Sequence, residues 1–179
     1  MAAKKENVNL TYDALWFKIF MDSLDIKFYG KEIFISSGLA GNQTVFMQML
    51  GNIGGYARTT DFDKDIDVVI ISDKMLDDFK NGIKDNFIQM LEDKINGSNT
   101  PYRKLKFTTE YLLLETLKTR ANGRIRTNSK DLKDEKNTIE LNALITQAIE
   151  RDELMLSMIK RYRDSTKVDT TDSKDKLFE

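Results

Sequence analysis

Two runs of consecutive apolar residues constrain the fold of this chain more than any other feature. Ile33–Ile35 forms the first run and Val68–Ile71 forms the second. A strand with one face in water alternates polar and apolar residues, whereas a continuous apolar run indicates burial on both faces. Such strands occur in parallel sheets that carry helices on both faces. The chain is therefore predicted to be an α/β protein.

Helical periodicity and turn residues place the other elements around these runs. Gly54-Gly55 follows an apolar helical stripe and marks its end, as glycine does at helix C-termini. The predicted elements are, in chain order, a helix over 9–26, a strand over 31–37, a helix over 44–53, strands over 56–60 and 67–72, a helix over 75–95, a strand over 104–107 and helices over 108–120 and 137–163. The order from residue 31 to residue 120 is β-α-β-β-α-β-α. It predicts a four-stranded, mainly parallel sheet flanked by helices, with extra helices at both ends.

Composition divides the chain into a central domain and extensions. The predicted divisions are an N-terminal helical extension over 1–27, an α/β domain over 28–120, a basic linker over 121–136, a C-terminal helix over 137–164 and a disordered tail over 165–179. The predicted packing face of the N-terminal helix consists of Leu10, Ala14, Phe17, Phe20, Met21 and Leu24, and Trp16 and Ile19 widen it. A seven-residue spacing in the C-terminal helix relates Leu141, Ala148, Met155 and Tyr162. That spacing is typical of a helix that docks on the domain or forms a homodimer.

The chain contains neither histidine nor cysteine, and its formal net charge is -1. It therefore lacks the commonest general base and the commonest zinc ligand, and it offers no thiolate or disulfide. We predict no cofactor, and a non-catalytic binding protein is favoured over an enzyme. No apolar run approaches the length of a membrane span, and no apolar segment follows the first lysines. These features predict a cytoplasmic protein without membrane association.

The glycines and the order of the elements resemble the BRCT domain family. Members open with a strand that often follows a glycine and ends in Thr-Gly or Ser-Gly, and the segment 30–38 has this form. Their first helix ends in a glycine pair, where this chain has Gly54-Gly55. An apolar strand comes next, here 67–72. A short strand and a helix close the domain, often with an acidic residue at the junction, here Glu110.

This resemblance covers residues 28–120 and departs from the family in two places. The tryptophan that many members have in the last helix is absent, and Leu113 or Leu114 stands near its place. The stretch between the third and fourth strands is also longer than in the family. The resemblance implies a BRCT-like module that recognises a phosphopeptide, a DNA end or a protein partner, in DNA repair or replication.

The resemblance also implies a phosphate-binding site after the first strand. Many members bind phosphoserine or phosphothreonine through a hydroxyl and backbone at this point, together with a lysine early in the second helix. Ser37 and Gly38 match the first part, and both can donate to phosphate oxygens. Lys80 and Lys84 are the candidates for the lysine. The alternative, favoured for the lysines, is that Ser37 caps a loop and both lysines are solvated.

Some bacterial members bind DNA ends through an arginine at the start of the first helix. Gln43 stands at that place here, and its lack of charge argues against the same phosphate contact. Thr44 is a candidate phosphate donor, because the N-terminus of a helix attracts anions. A simple helix cap is the interpretation that we favour for Thr44.

The segment 103–133 is locally basic, with nine lysines and arginines against three acidic residues. Arg120, Arg124 and Arg126 are the predicted nucleic-acid contacts, on a flexible arm that lies along phosphates. The alternative is a solvated linker whose charge is balanced by acidic neighbours.

Two other functions stay open as alternatives. Four aspartates alternate before the third strand, namely Asp61, Asp63, Asp65 and Asp67. One alternative is that one of these aspartates binds magnesium and that the chain is an α/β enzyme or a receiver-like domain. Sites in α/β proteins form at the carboxyl ends of strands, however, where the third strand offers only Ser72-Asp73. We assign no metal ligand. The other alternative is a structural protein that assembles through its terminal helices.

Overall fold

The computed structural model describes residues 10–62, 65–97 and 104–178, with their side chains except at 94, 95, 97 and 167–178. Within these residues the elements are, in chain order, α1 (Tyr12–Ser23), β1 (Glu32–Ile35), α2 (Gln43–Asn52), β2 (Tyr56–Arg58), β3 (Val68–Ile71), α3 (Asp73–Lys80), α4 (Asn86–Gly97), β4 (Lys106–Thr109), α5 (Glu110–Leu132) and α6 (Ile139–Phe178). They divide into two compact units. The sheet unit comprises Met1–Ala40 and Ile53–Glu110, and the helical unit comprises Gly41–Asn52 and Tyr111–Glu179.

The four strands form one parallel sheet in the order β2-β1-β3-β4. Ile33 of β1 lies opposite Val68 of β3, and Val68 in turn lies opposite Lys106 of β4. All four residues of β3 are buried, as its continuous apolar run predicts. The predicted α/β class with a four-stranded parallel sheet flanked by helices is therefore confirmed.

An aromatic cluster packs beside the sheet. The ring of Phe34 in β1 stacks on the ring of Phe87 in α4, with centroids 5.2 Å apart and planes 7° from parallel. Phe62 meets Phe34 edge-on at 5.1 Å. Offset stacked and edge-to-face geometries are the favourable arrangements of aromatic rings. The cluster therefore attaches α4 to the sheet.

The N-terminal helix buries only a small part of the predicted face. The buried residues of α1 are Leu15, Ile19 and Asp22. The exposed ones include Trp16, Phe17, Phe20, Met21 and Leu24. The helix contacts β4, where Asp22 accepts a hydrogen bond from the Phe107 N–H at 2.9 Å. Of the predicted packing face, Ala14, Phe17, Phe20, Met21 and Leu24 are exposed, whereas Leu10 and Ile19 are buried.

The helix predicted over 75–95 is interrupted. Ser72 caps α3 by accepting from the Met75 N–H, and α3 ends at Lys80. Gly82 adopts a φ of +89°, and the N–H groups of Gly82 and Ile83 donate to the carbonyls of Phe79 and Asp78. This double hydrogen bond around a left-handed glycine is the Schellman termination of a helix. It separates α3 from α4.

The helical unit contains α2, α5 and α6. The ring of Phe46 in α2 packs on the ring of Tyr162 in α6, with centroids 5.2 Å apart. Of the predicted seven-residue row in α6, Met155 and Tyr162 are buried, whereas Leu141 is 43% exposed. The C-terminal half of the row therefore packs within the unit.

The predicted linker over 121–136 is wrong for most of its length, because α5 continues to Leu132. Ala121 is fully buried, which ties the middle of α5 to the packed interior. The next helix begins at Ile139, where Thr138 accepts from the Leu141 N–H. No glycine or proline interrupts the segment that follows, and α6 extends to Phe178 through the predicted disordered tail. Among the described residues, no helix has the length and apolar character that a membrane crossing requires.

Candidate functional site

The candidate site of the sheet unit lies at the carboxyl ends of β1 and β3, which are adjacent and parallel. The Ser72 N–H donates to the hydroxyl of Ser36 at 2.9 Å, and the Ser72 hydroxyl donates to the carbonyl of Ser37 at 3.0 Å. Ser36 and Ser72 are both buried. These two hydroxyls therefore hold the loop after β1 against the start of α3.

Gly38 is required by the shape of this loop. Its φ is +93°, a conformation that side chains disfavour, and a Cβ placed there would lie 3.2 Å from the Ser72 Oγ. The chain therefore turns at Gly38. Ser37, immediately before it, is exposed. The predicted hydroxyl donor consequently faces solvent beside a loop whose backbone is held by buried groups.

The acidic residue at the β4–α5 junction supports the same loop. Glu110 is 2% exposed, and its Oε2 accepts from the Ala40 N–H at 3.0 Å. A charge-assisted bond to a backbone N–H is stronger than a neutral one. The junction acid therefore has a structural contact with the loop that carries Ser37 and Gly38.

The lysine that sequence reasoning missed is Lys74. It lies in the first turn of α3, two residues after Ser72, and it is exposed. The helix was predicted to begin at Met75, so Lys74 was placed outside it. The pattern Ser72-Asp73-Lys74 carried the missing signal, since serine at an N-cap followed by an acidic residue is a helix start.

The two predicted lysines lie elsewhere. Lys80 is exposed in the last turn of α3, about 9 Å further along the helix axis than Lys74 at 1.5 Å per residue. Lys84 is half-buried, and its Nζ lies 2.7 Å from the Glu92 Oε2 in an ion pair. The same carboxylate oxygen accepts from the Leu10 N–H at 2.8 Å. The hydrogen bond from Lys84 and then that from Leu10 lower the pKa of Glu92.

In the helical unit, the cap of α2 is Asn42 and not Thr44. The Asn42 Oδ1 accepts from the Val45 N–H at 3.1 Å, whereas Thr44 is exposed within the first turn. The interpretation of Thr44 as a simple cap is therefore wrong. The Gly41 N–H donates to the hydroxyl of Tyr162 at 3.0 Å, which attaches this end of α2 to α6. Gln43 is the first residue of α2 and is exposed.

The three predicted nucleic-acid arginines lie on a helix and not on a flexible arm. Arg124 donates to both oxygens of Asp152, at 2.8 to 3.1 Å. Arg120 is half-buried, and Arg126 is exposed. At 3.6 residues per turn, Arg126 points about 200° around the helix axis from Arg124. The three side chains therefore do not form one basic stripe, and the charge of Arg124 is matched by a carboxylate.

The aspartates before β3 do not form a metal site in the part of the chain that the structure describes. Asp67 accepts from the Glu32 N–H at 3.0 Å through its Oδ2. Asp63 lies outside the described residues. Across 10–62, 65–97 and 104–166, no group of three or more acidic side chains is placed to hold a metal ion.

Comparison with known proteins returned no family model, no curated protein and no solved structure that matches this chain.

Proposed function

We propose that this chain is a non-catalytic, BRCT-like binding module that recognises a phosphorylated serine or threonine of a partner protein. The observation that carries the proposal is the double hydrogen bond of Ser72 across the carboxyl ends of β1 and β3. It brings the backbone of Ser37 against the start of α3. The element order and the positions of Gly38, Gly54-Gly55 and Glu110 agree with the family resemblance.

The groups around this junction suit a phosphate dianion. The exposed Ser37 hydroxyl is a donor, and the first turn of α3 presents the positive end of a helix dipole, although its Ser72 and Met75 N–H groups already donate to hydroxyls. Lys74 adds a formal positive charge in this turn, beside the negative charge of Asp73. A phosphoserine carries close to two negative charges at neutral pH and three acceptor oxygens, so it gains several charge-assisted bonds at once.

Two observations favour a phosphopeptide over a DNA end. The first residue of α2 is the uncharged Gln43, where DNA-end-binding relatives of the suggested family carry an arginine. The basic segment is also partly neutralised, since Arg124 is held by Asp152. A DNA end is therefore the second ligand to examine.

The test is fluorescence anisotropy with two labelled peptide pools of degenerate sequence, one centred on phosphoserine and one on serine. We expect the full chain to bind the phosphorylated pool more tightly. Ser37→Ala and Lys74→Gln should each weaken that binding several-fold. Lys80→Gln is the matched control, because it removes the same charge from the opposite end of the same helix, and it should leave binding unchanged.

Equal binding of the two pools would contradict the proposal, as would equal losses in Lys74→Gln and Lys80→Gln. A 5′-phosphorylated duplex and its unphosphorylated counterpart form the second arm. If the chain binds the phosphorylated duplex more tightly and does not distinguish the peptide pools, the ligand is a DNA end and not a phosphopeptide.

A further inference from the structure

A cavity of the sheet unit lies where β1, β3 and β4 begin, at the edge of the sheet opposite to the Ser37 loop. Its volume is about 260 Å³. The lining residues are Asp25, Ile26, Lys27, Lys31, Asp67, Val68, Lys104 and Lys106. They come from the segment after α1 and from the residues that precede or open three adjacent parallel strands. The cavity is therefore distinct from the loop at Ser37, which follows β1.

The lining is cationic although the whole chain is slightly acidic. Four lysines face two aspartates around the cavity, whereas the chain has a net charge of -1. One of the two aspartates is engaged in the fold, because the Asp67 Oδ2 accepts from the Glu32 N–H. A concave surface with one dominant sign of charge concentrates counter-ions of the opposite sign.

The lysines differ in how far they are neutralised. Lys106 lies 3.8 Å from the Asp22 Oδ1, but that carboxylate also pairs with Lys18 at 3.1 Å and accepts from the Phe107 N–H. Lys27, Lys31 and Lys104 are exposed, and among the described residues none of them forms an ion pair. Asp22 is thus shared between Lys18 and Lys106. The four lining lysines outnumber the two lining aspartates, so the cavity has an excess of positive charge.

We propose that this cavity binds the phosphate groups of a small molecule that carries two or more linked phosphates. Lysines bind phosphate as point charges, and four of them from two separate segments suit several charges better than one. The volume lies below the range of pockets that enclose drug-sized molecules. It accommodates linked phosphate groups, while the rest of such a ligand extends into solvent.

The test is calorimetric titration of the full chain with inorganic pyrophosphate at low salt, with orthophosphate as the comparison. We expect pyrophosphate to bind more tightly. The double variant Lys31→Gln/Lys104→Gln should weaken its binding roughly tenfold, which corresponds to about 1.4 kcal/mol. The control Lys130→Gln/Lys133→Gln removes the same charge from exposed positions in and after α5, and it should bind pyrophosphate like the unmodified chain.

Three outcomes would overturn the proposal: no pyrophosphate binding, equal losses in the two double variants, or a loss in Lys74→Gln, which would assign the binding to the start of α3. Amide shifts in NMR spectra give a second readout on the unmodified chain, and we expect them at Lys31, Val68 and Lys106. If pyrophosphate does not bind, but a duplex binds and loses affinity in Lys31→Gln/Lys104→Gln, the ligand of the cavity is a nucleic-acid backbone.

Discussion

The two edges of the parallel sheet are built from different kinds of groups. At the carboxyl edge, where β1 and β3 end, the buried hydroxyls of Ser36 and Ser72 and the left-handed Gly38 hold the backbone in place. At the amino edge, where β1, β3 and β4 begin, lysines surround a cavity, and the buried Asp22 forms ion pairs with Lys18 and Lys106. In a parallel sheet, all strands begin at one edge and all end at the other, so each edge collects its residues from segments that are distant in sequence.

The difference between the two edges affects how each of them would bind a ligand. Backbone groups and buried hydroxyls lose little conformational entropy on binding, because the fold already holds them. Lysine side chains keep many rotamers in solvent and lose them when they bind a ligand. The carboxyl edge is therefore suited to a geometrically specific contact, and the amino edge to attraction of charge. Two stability measurements test how each edge is held together, and a third tests an ion pair outside both edges. They follow in order of expected size.

Asp22→Ala at the amino edge should have the largest effect. Asp22 is 7% exposed, and its removal takes away the carboxylate that accepts from the Phe107 N–H and pairs with Lys18. We expect the free energy of unfolding to fall by about 3 kcal/mol in urea titrations. Asp13→Ala, in the exposed first turn of the same helix, is the control and should cost less than about 1 kcal/mol. Similar losses in both variants would mean that Asp22 does not anchor this edge.

Gly38→Ala at the carboxyl edge should have the next largest effect. The positive φ and the close approach to the Ser72 Oγ should lower the free energy of unfolding by about 1–2 kcal/mol. Gly51→Ala, at an open position in α2, should instead stabilise the protein by roughly 0.5–1 kcal/mol. Thermal melts of the two variants in opposite directions would support the strained loop. A neutral Gly38→Ala would contradict it.

The ion pair of Lys84 with Glu92 lies outside both edges and should have the smallest effect. The pKa of Glu92 is lowered in the folded state, so the ionised carboxylate stabilises the fold above its ordinary pKa of 4.5. This contribution is lost as the pH falls through the lowered value. We expect Lys84→Met to cost about 0.5–1 kcal/mol at pH 7 and progressively less below pH 4.5.

The control for this third measurement is Lys80→Met, which removes an exposed lysine from α3. Its effect on the free energy of unfolding should be small and should not depend on pH between 3 and 7, in chemical denaturation at each pH. A loss for Lys84→Met that stays constant over that range would show that Lys84 contributes through packing and not through the charge of Glu92.

Local signals predicted some features of the candidate site and not others. Gly38 and Glu110 were identified from the family resemblance, as the glycine after the first strand and the acid between the last strand and its helix. Lys74 was missed because the helix start was placed at Met75, after the true cap at Ser72. The amino-edge cavity had no local signal at all, since Lys31 and Lys104 meet only through strand pairing.

By itself, the amino-acid sequence determined the sheet. The runs Ile33–Ile35 and Val68–Ile71 have no polar face, which favours parallel strands that are buried on both sides. Only the tertiary structure decided the rotation of α1, because apolar residues lie on all sides of that helix and periodicity does not specify which side is buried. It also decided that residues 121–132 continue α5, where buried packing at Ala121 outweighs a polar composition.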